Sequence, residues 1–328
     1  MKHVRFFERQ GPVAFLLALS LMSCSQGSNS SFEFALFGDN PYGERNVEKA
    51  ERLIEDVNQR ASLKWVIHLG DIKGGAQSCS DEVLRGRYDL FQTFEIPFIF
   101  TPGDNDWFDC VREPAGSWND YERLEFLRSL FFANPEQSSG GQPLVVRSQS
   151  ADAEYPEFVE NAMWSQKNIV FATVHLIRLT RPPSDSLVAT RRMEAAMGWI
   201  KEAFSKARSL DSPGLFLATQ VDPWAVWGNP GIVRGSCETC LSPKPGIEAL
   251  IPLLIEESAS FEGQVVLAVG DTHVFRVDKP LYREDGTLVE NFTRVEVFGE
   301  PQVHWVRVEV DPTDRQVFSF HQEIVVGN

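Results

Sequence analysis

Apolar residues along this chain fall into short runs, separated by stretches where they recur every three or four positions. Phe32–Phe37 is one such run, and Val47, Ala50, Leu53, Ile54 and Val57 then line one face of a helix over residues 46–59. Residues 65–69 predict a second strand, 81–94 a second helix and Pro97–Phe100 a third strand. That β-α-β-α-β order implies parallel strands joined by right-handed crossovers. Leu124, Leu127 and Leu130 place another helix over 118–131, while the polar stretches 134–141 and 148–156 read as surface loops. A strand over 169–179, a helix over 190–209 and a strand over 215–219 follow, then a helix over 247–257 and a strand over 265–269. Between them, 222–245 is rich in Pro, Gly, Trp and Cys and reads as an ordered lid or insertion. The tail differs in kind. Residues 294–298, 303–310 and 317–325 alternate apolar and polar positions, as antiparallel strands completing a second sheet would.

Ahead of these elements stands a segment of another character. Lys2, Arg5 and Arg9 give a basic start, and the apolar run 13–22 is short of the roughly 20 residues a spanning helix needs, which suits a signal-peptide core. It ends in Leu21-Met22-Ser23-Cys24, which resembles the lipobox of bacterial lipoproteins. That resemblance implies cleavage after residue 23, lipidation of Cys24 and export to the cell envelope, periplasmic or at the outer surface. Residues 24–31 then form a flexible tether and 32–328 the folded domain. An ordinary secretory signal, with Cys24 incidental, is the other reading. Formal net charge is −15, and loss of the leader's three basic residues and one acidic residue leaves −17. Such a surface excludes nucleic acid as a partner and limits membrane contact to the lipid anchor.

Four further cysteines, an even number in an exported chain, point to disulfides. Cys79 and Cys110 each follow a Gly-Asp pair by a few residues, which predicts that they meet at one rim and bond. Cys237-Glu-Thr-Cys240 fits a loop disulfide, a redox pair or half of a zinc site.

The repeat that carries chemistry is the Gly-Asp pair itself. Four apolar runs end in it, at Asp39, Asp71, Asp104 and Asp271, where composition alone predicts about one. The first three aspartates lie 32 and 33 residues apart, close to the length of a βαβ unit. Ligands of open α/β sheets bind beyond the carboxyl ends of strands, so four carboxylates placed there face one another. They repel unless cations neutralise them, and aspartate oxygens are ligands for divalent metals. His273, two residues after Asp271, adds an imidazole.

The stretches Asp39-Asn40-Pro41, Gly70-Asp71-Ile72-Lys73, Gly103-Asp104-Asn105-Asp106 and Gly270-Asp271-Thr272-His273 resemble, in order and spacing, the motifs of the calcineurin-like metallophosphoesterases. The likeness is nearest to a variant branch with GDNPY, GDIKGG and TPGDNDW motifs. It implies two mixed β-sheets flanked by helices, an α/β/β/α sandwich. It also implies two divalent ions, Mn or Mg favoured and Fe or Zn possible. By this resemblance Asp39, Asp71 and His273 hold the first ion. Asp71 bridges to a second, held by Asp104, Asp271 and either Gln220 or Asp222. Several histidines of the family pattern are replaced: Pro41, Asn105, the Gln220 or Asp222 position and Asp271 stand where the family has imidazoles. Asn105 takes the catalytic position and cannot titrate near neutrality.

The implied activity is metal-dependent hydrolysis of a phosphorylated small molecule or phosphodiester, phosphatase or phosphodiesterase. The alternative is a catalytically weak metal-binding relative that recognises a ligand or partner at the surface. His175, near the end of the 169–179 strand, is either a substitute acid for Asn105 or a packed strand histidine; His68 reads as core. Trp224 and Trp227 either wall a substrate pocket or pack the lid. Arg112 and Arg178 either bind phosphate or are surface charges.

Overall fold

The computed structural model describes residues 1–3, 31–179, 186–226, 235–236, 247 and 249–328. The apolar run of the leader, Cys24, Trp227, Cys237 and Cys240 lie outside the described residues.

In chain order the first half runs β1 (Phe32–Phe37), α1 (Glu44–Asn58), β2 (Leu63–His68), α2 (Asp81–Phe91), β3 (Pro97–Phe100), α3 (Asp120–Phe131), β4 (Ser139–Gly140) and β5 (Arg147–Ser148). The second half runs β6 (Ala162–Gln166), β7 (Ile169–Thr173), α4 (Ser186–Ser209), β8 (Gly214–Ala218), β9 (Ala225–Val226), β10 (Gly235–Ser236), α5 (Leu250–Ala259), β11 (Gln264–Val269), β12 (Arg276–Asp278), β13 (Phe292–Glu296), β14 (Trp305–Val310) and β15 (Phe318–Glu323). One sheet has the order β15-β14-β1-β2-β3-β4, the other β12-β13-β11-β8-β7-β6-β5, and β9 and β10 pair by themselves. Both sheets are mixed: β1, β2 and β3 run parallel, as do β7, β8, β11 and β13, with antiparallel strands at the edges.

Four layers follow from which face each strand buries. In β1, Phe32, Phe34 and Leu36 point into the layer between the sheets, while Ala35 and Phe37 pack under α1 to α3. In β8, Phe216 and Ala218 face that same inner layer, while Leu215 and Leu217 pack under α4 and α5. Strands buried on both faces read as continuous apolar runs, which is why the central ones were legible. In α2 the exposed Gly86 has open space where a side chain would go. Gly86→Ala is therefore expected to stabilise the fold by about 0.5–1 kcal/mol in chemical denaturation, because it removes backbone freedom from the unfolded chain at no steric cost.

The tail departs from expectation. Its three alternating segments do not complete a second sheet together: β14 and β15 join the first sheet antiparallel beside β1, and β13 enters the second sheet parallel to β11. Alternation reports a half-buried strand but not its partner. The predicted 169–179 strand stops at Thr173, after which the Asn161 side chain takes the amide of His175 at 2.7 Å. The stretches 134–141 and 148–156 contribute short edge strands as well as loop. No helix among the described residues is long and apolar enough to cross a membrane.

Candidate functional site

Each Gly-Asp pair follows a strand end: Asp39 after β1, Asp71 after β2, Asp104 after β3 and Asp271 after β11. The two sheets thus deliver their turns to one rim. Asp39, Asp71 and Asp271 sit at φ 51°, 56° and 75°, and His273 at 61°. That left-handed region costs a non-glycine residue on the order of 1 kcal/mol and persists only where surrounding structure enforces it. The enforcement is visible. The Asp39 amide donates to the Gly70 carbonyl at 2.9 Å, the Gly270 amide to the Gln220 carbonyl at 2.8 Å, and the Asp271 amide to the Asp39 carboxylate at 3.1 Å. The preceding residue is glycine for want of room: a methyl group at Gly103 would overlap Asp71 Oδ1, and one at Gly270 would overlap Asp39 Oδ2.

Two residues lock these turns from below. Asp106 accepts the amides of Asp71 (2.9 Å), Ile72 (2.7 Å) and Gly103 (2.7 Å), bracing the second and third turns. His68 is wholly buried, accepts the Gly70 amide on Nδ1 at 3.1 Å and so donates from Nε2 to the Asn40 carbonyl at 2.9 Å. Burial pushes its pKa down to about 3, so it stays neutral, as its core assignment requires.

Above this floor lies a cleft of about 330 Å³ lined by Tyr42, Asp71, Asp104, Asn105, Arg178 and His273, among others. The Tyr42 hydroxyl lies 3.2 Å from Asp71 Oδ2 and 3.4 Å from His273 Nε2. Asn105 gives its backbone amide to Asp71 Oδ1 at 3.0 Å and its side-chain amide to Asp71 Oδ2 at 2.8 Å and the Tyr42 hydroxyl at 3.2 Å. Gln220 reaches Asp39 Oδ1 at 3.4 Å and Asp71 Oδ2 at 3.1 Å with one amide nitrogen. His273 Nε2 stands 3.8 Å from Asp39 Oδ1, while its Nδ1 meets the Glu300 carbonyl at 2.9 Å. On the opposite side Arg178 Nη2 lies 3.3 Å from Asp271 Oδ1 and Arg112 Nη2 lies 2.6 Å from Asp109 Oδ2. A more apolar cavity of about 350 Å³ lies across the same segments, lined by Trp107, Tyr121 and Ile177, and no carboxylates converge there.

Electrostatics match the crowding. Burial, then the neighbouring Asp271 charge, raises the Asp39 carboxyl well above its ordinary range; burial and then Asp104 and Asp106 do the same to Asp71. Asp104 is raised by burial and partly relieved by Arg178 and Arg112. Asp106 is pushed up to about 6 by burial, against the three amides it accepts. Lys73 is buried beneath them, and desolvation lowers its pKa despite the surrounding aspartates. Tyr42 is held well above 10 by burial and the Asp71 charge, so its hydroxyl keeps its proton. Six carboxylates (39, 71, 104, 106, 109 and 271) thus face three basic side chains, Lys73, Arg112 and Arg178. The cleft is short of positive charge.

The structure sorts the alternatives left open by sequence. Gln220 enters the site, but Asp222 does not: its carboxylate accepts Arg294 Nη1 at 3.1 and 3.2 Å in a buried ion pair and caps the Trp224 amide. His175 lies outside the cleft. It accepts Trp107 Nε1 on Nε2 at 3.0 Å and sits 2.8 Å from Glu160, and burial beside Arg192 takes its pKa down to about 4, so it is a packed histidine and no substitute acid. Trp224 packs on Phe292 beneath the Arg294 guanidinium. Cys79 and Cys110 are bonded, with Cα atoms 5.6 Å apart, and tie the loop after β2 to the turn carrying Asp109. Tyr42, Lys73 and Asp106 were not singled out as site residues, although each follows a motif aspartate by two or three positions.

No family model matches the chain, and no curated protein matches it. Solved structures resemble it at low identity. GAP50, the anchor in the inner membrane complex of Plasmodium, gives a TM-score of 0.48 at 11% identity, over 90% of this chain and 89% of that one. TT1561 of Thermus thermophilus gives 0.48 at 11%, over 89% and 98%. A 5'-nucleotidase from Candida albicans gives 0.46 at 9%, over 89% of this chain and 50% of the nucleotidase. Likeness at these scores carries no functional weight.

The donor types fit a hard divalent ion: Asp39, Asp71 and His273 offer two carboxylates and an imidazole in a region deficient in positive charge. Their spacing is wider than a closed coordination shell. Among the described residues no three His, Cys, Asp or Glu side chains form a ready-made cage. The neutral groups of Gln220 and Tyr42 lie against the carboxylates.

Proposed function

We propose that this cleft is the metal-dependent phosphoester-hydrolase centre of an exported, lipid-anchored protein related to the calcineurin-like metallophosphoesterases. One observation carries the reading: turns from two different sheets, three of them strained into the left-handed region, converge four aspartates and a histidine on one rim. Strain of that kind is retained where function requires it. The Cys79–Cys110 bond suits an oxidising compartment, in keeping with the leader and Cys24.

A bound divalent ion supplies Lewis-acid stabilisation of phosphoryl charge. The chain's own groups supply the rest. Arg178 and Arg112 present guanidinium groups to an anionic substrate at the open side of the cleft. Asn105 and Tyr42 are hydrogen-bond donors that stabilise charge without titrating near neutrality. Among the described residues the histidine lining the cleft is His273, which this reading assigns to the ion, so substrates with good leaving groups are favoured.

Purified protein lacking the leader is expected to bind Mn²⁺ and slowly hydrolyse bis(4-nitrophenyl) phosphate. Asp71→Ala is expected to take both below detection, since Asp71 is the carboxylate shared by Tyr42, Asn105 and Gln220. Calorimetric titration and release of 4-nitrophenolate measure the two. Asn105 at the catalytic position favours a second reading, a metal-binding recognition protein. Tight Mn²⁺ binding with no turnover across a range of divalent ions and activated esters would establish that reading in place of the enzyme.

A further inference from the structure

The two halves of the cleft differ in what answers their negative charge. Among the described residues, the side chains donating hydrogen bonds to Asp39 and Asp71 are neutral: Gln220, Tyr42 and Asn105. His273 Nε2 faces Asp39 across 3.8 Å. On the Asp104 and Asp271 side the partners are guanidinium groups. Arg178 lies 3.3 Å from Asp271, Arg112 is paired with Asp109 at 2.6 Å, and both act on Asp104. The charge of Lys73 falls first on Asp106, beneath both halves, and then on Asp71.

We propose that the cleft holds one divalent ion rather than two, on Asp39, Asp71 and His273, and that Arg178, with Arg112 beside it, takes the charge role of a second ion at Asp104 and Asp271. The proposal rests on the metal-binding reading above and departs from the paired ions that the family resemblance implies. Two carboxylates with only neutral donors call for two positive charges, which one divalent ion provides. The three carboxylates of the other half, Asp104, Asp109 and Asp271, already face two guanidinium groups, so a second ion gains less there than the first does at Asp39 and Asp71 and meets two repulsive neighbours. A fixed guanidinium also brings its own donors to phosphoryl oxygens, which an additional ion would otherwise have to coordinate.

The test is stoichiometry, independent of activity. Full-length protein is dialysed to equilibrium against Mn²⁺, the metal is counted by mass spectrometry, and the electron paramagnetic resonance spectrum is recorded. The expected result is one ion per chain with the spectrum of an isolated Mn²⁺. Asp39→Ala should lose that ion and Asp104→Ala should keep it. Arg178→Ala should admit a second equivalent, while Arg178→Lys, which preserves the charge, should stay at one. Two ions per chain in the wild type, or an exchange-coupled spectrum, would overturn the single-ion proposal and leave the metal reading standing. Loss of the ion in Asp104→Ala would overturn it as well. Arg178→Ala remaining at one ion would overturn the role given to Arg178. No bound Mn²⁺ in the wild type would overturn the metal reading itself and the proposal with it.

Discussion

Glu160→Gln is expected to lower the free energy of unfolding by about 3–5 kcal/mol, read from urea denaturation. Glu160 is wholly buried, and three basic groups converge on it. Arg128 reaches its two oxygens at 2.8 and 3.0 Å, Arg192 lies at 2.6 Å and His175 Nδ1 at 2.8 Å. An amide in its place keeps the shape but strands two guanidinium groups, Arg192 buried and Arg128 nearly so, without a counter-charge. Desolvation pushes the Glu160 carboxyl up, yet Arg128 and Arg192 overcome it and hold the group well below its ordinary range. A depressed carboxylate contributes stability that is present above its unfolded value and lost as pH falls through the folded one. The deficit of the variant is therefore expected to stay level from about pH 8 to about pH 5 and to narrow only below about 4.5. A loss under about 1 kcal/mol would mean that water reaches the cluster and that the ion pairs count as surface ones.

Gly103→Ala is expected to cut Mn²⁺ affinity and turnover by about a hundredfold or more while the protein stays folded. The added methyl would meet Asp71 Oδ1 and come within 2.7 Å of Gln220 Cγ. Gly103 is not among the residues at positive φ, so the change is one of space alone. The Asp71 carboxylate has to swing away, and its contacts with Asn105, Tyr42 and Gln220 break together. Circular dichroism and a Mn²⁺ titration separate this from unfolding. Unaltered affinity would show that the carboxylate can move without consequence and that Asp71 does not hold the ion.

Legibility in the sequence followed the range of the interactions. β1 and β3 were bounded as found, because an apolar run closed by a Gly-Asp turn carries its own start and stop. The same turns located four of the site carboxylates, whereas Gln220 entered only through the family resemblance, as an alternative to Asp222. Asp222 shows where such reasoning ends. It lies two residues from Gln220 yet answers Arg294, 72 positions away, a pairing that no local pattern encodes. His175 is likewise decided by Glu160 in the loop before β6, Arg192 on α4 and Trp107 in the turn after β3, all distant in the chain. The tail strands show the same limit: β14 carries the alternation of a half-buried strand, but its place beside β1 depends on a partner almost the whole chain away.

Because Asp39 hangs from one sheet and the amide it accepts, that of Asp271, hangs from the other, the mouth of the cleft behaves like the jaws of a caliper. The opening of those jaws is set by the thickness of the aromatic filling between the sheets, where Phe34, Trp65, Phe171 and Phe216 interlock. With the ion placed as proposed, ionic radius would be gauged by residues that never touch it. A bulkier or slimmer side chain at Phe171 or Phe216 would re-grade the preference between small, tightly hydrated cations and larger ones, with every ligand left in place.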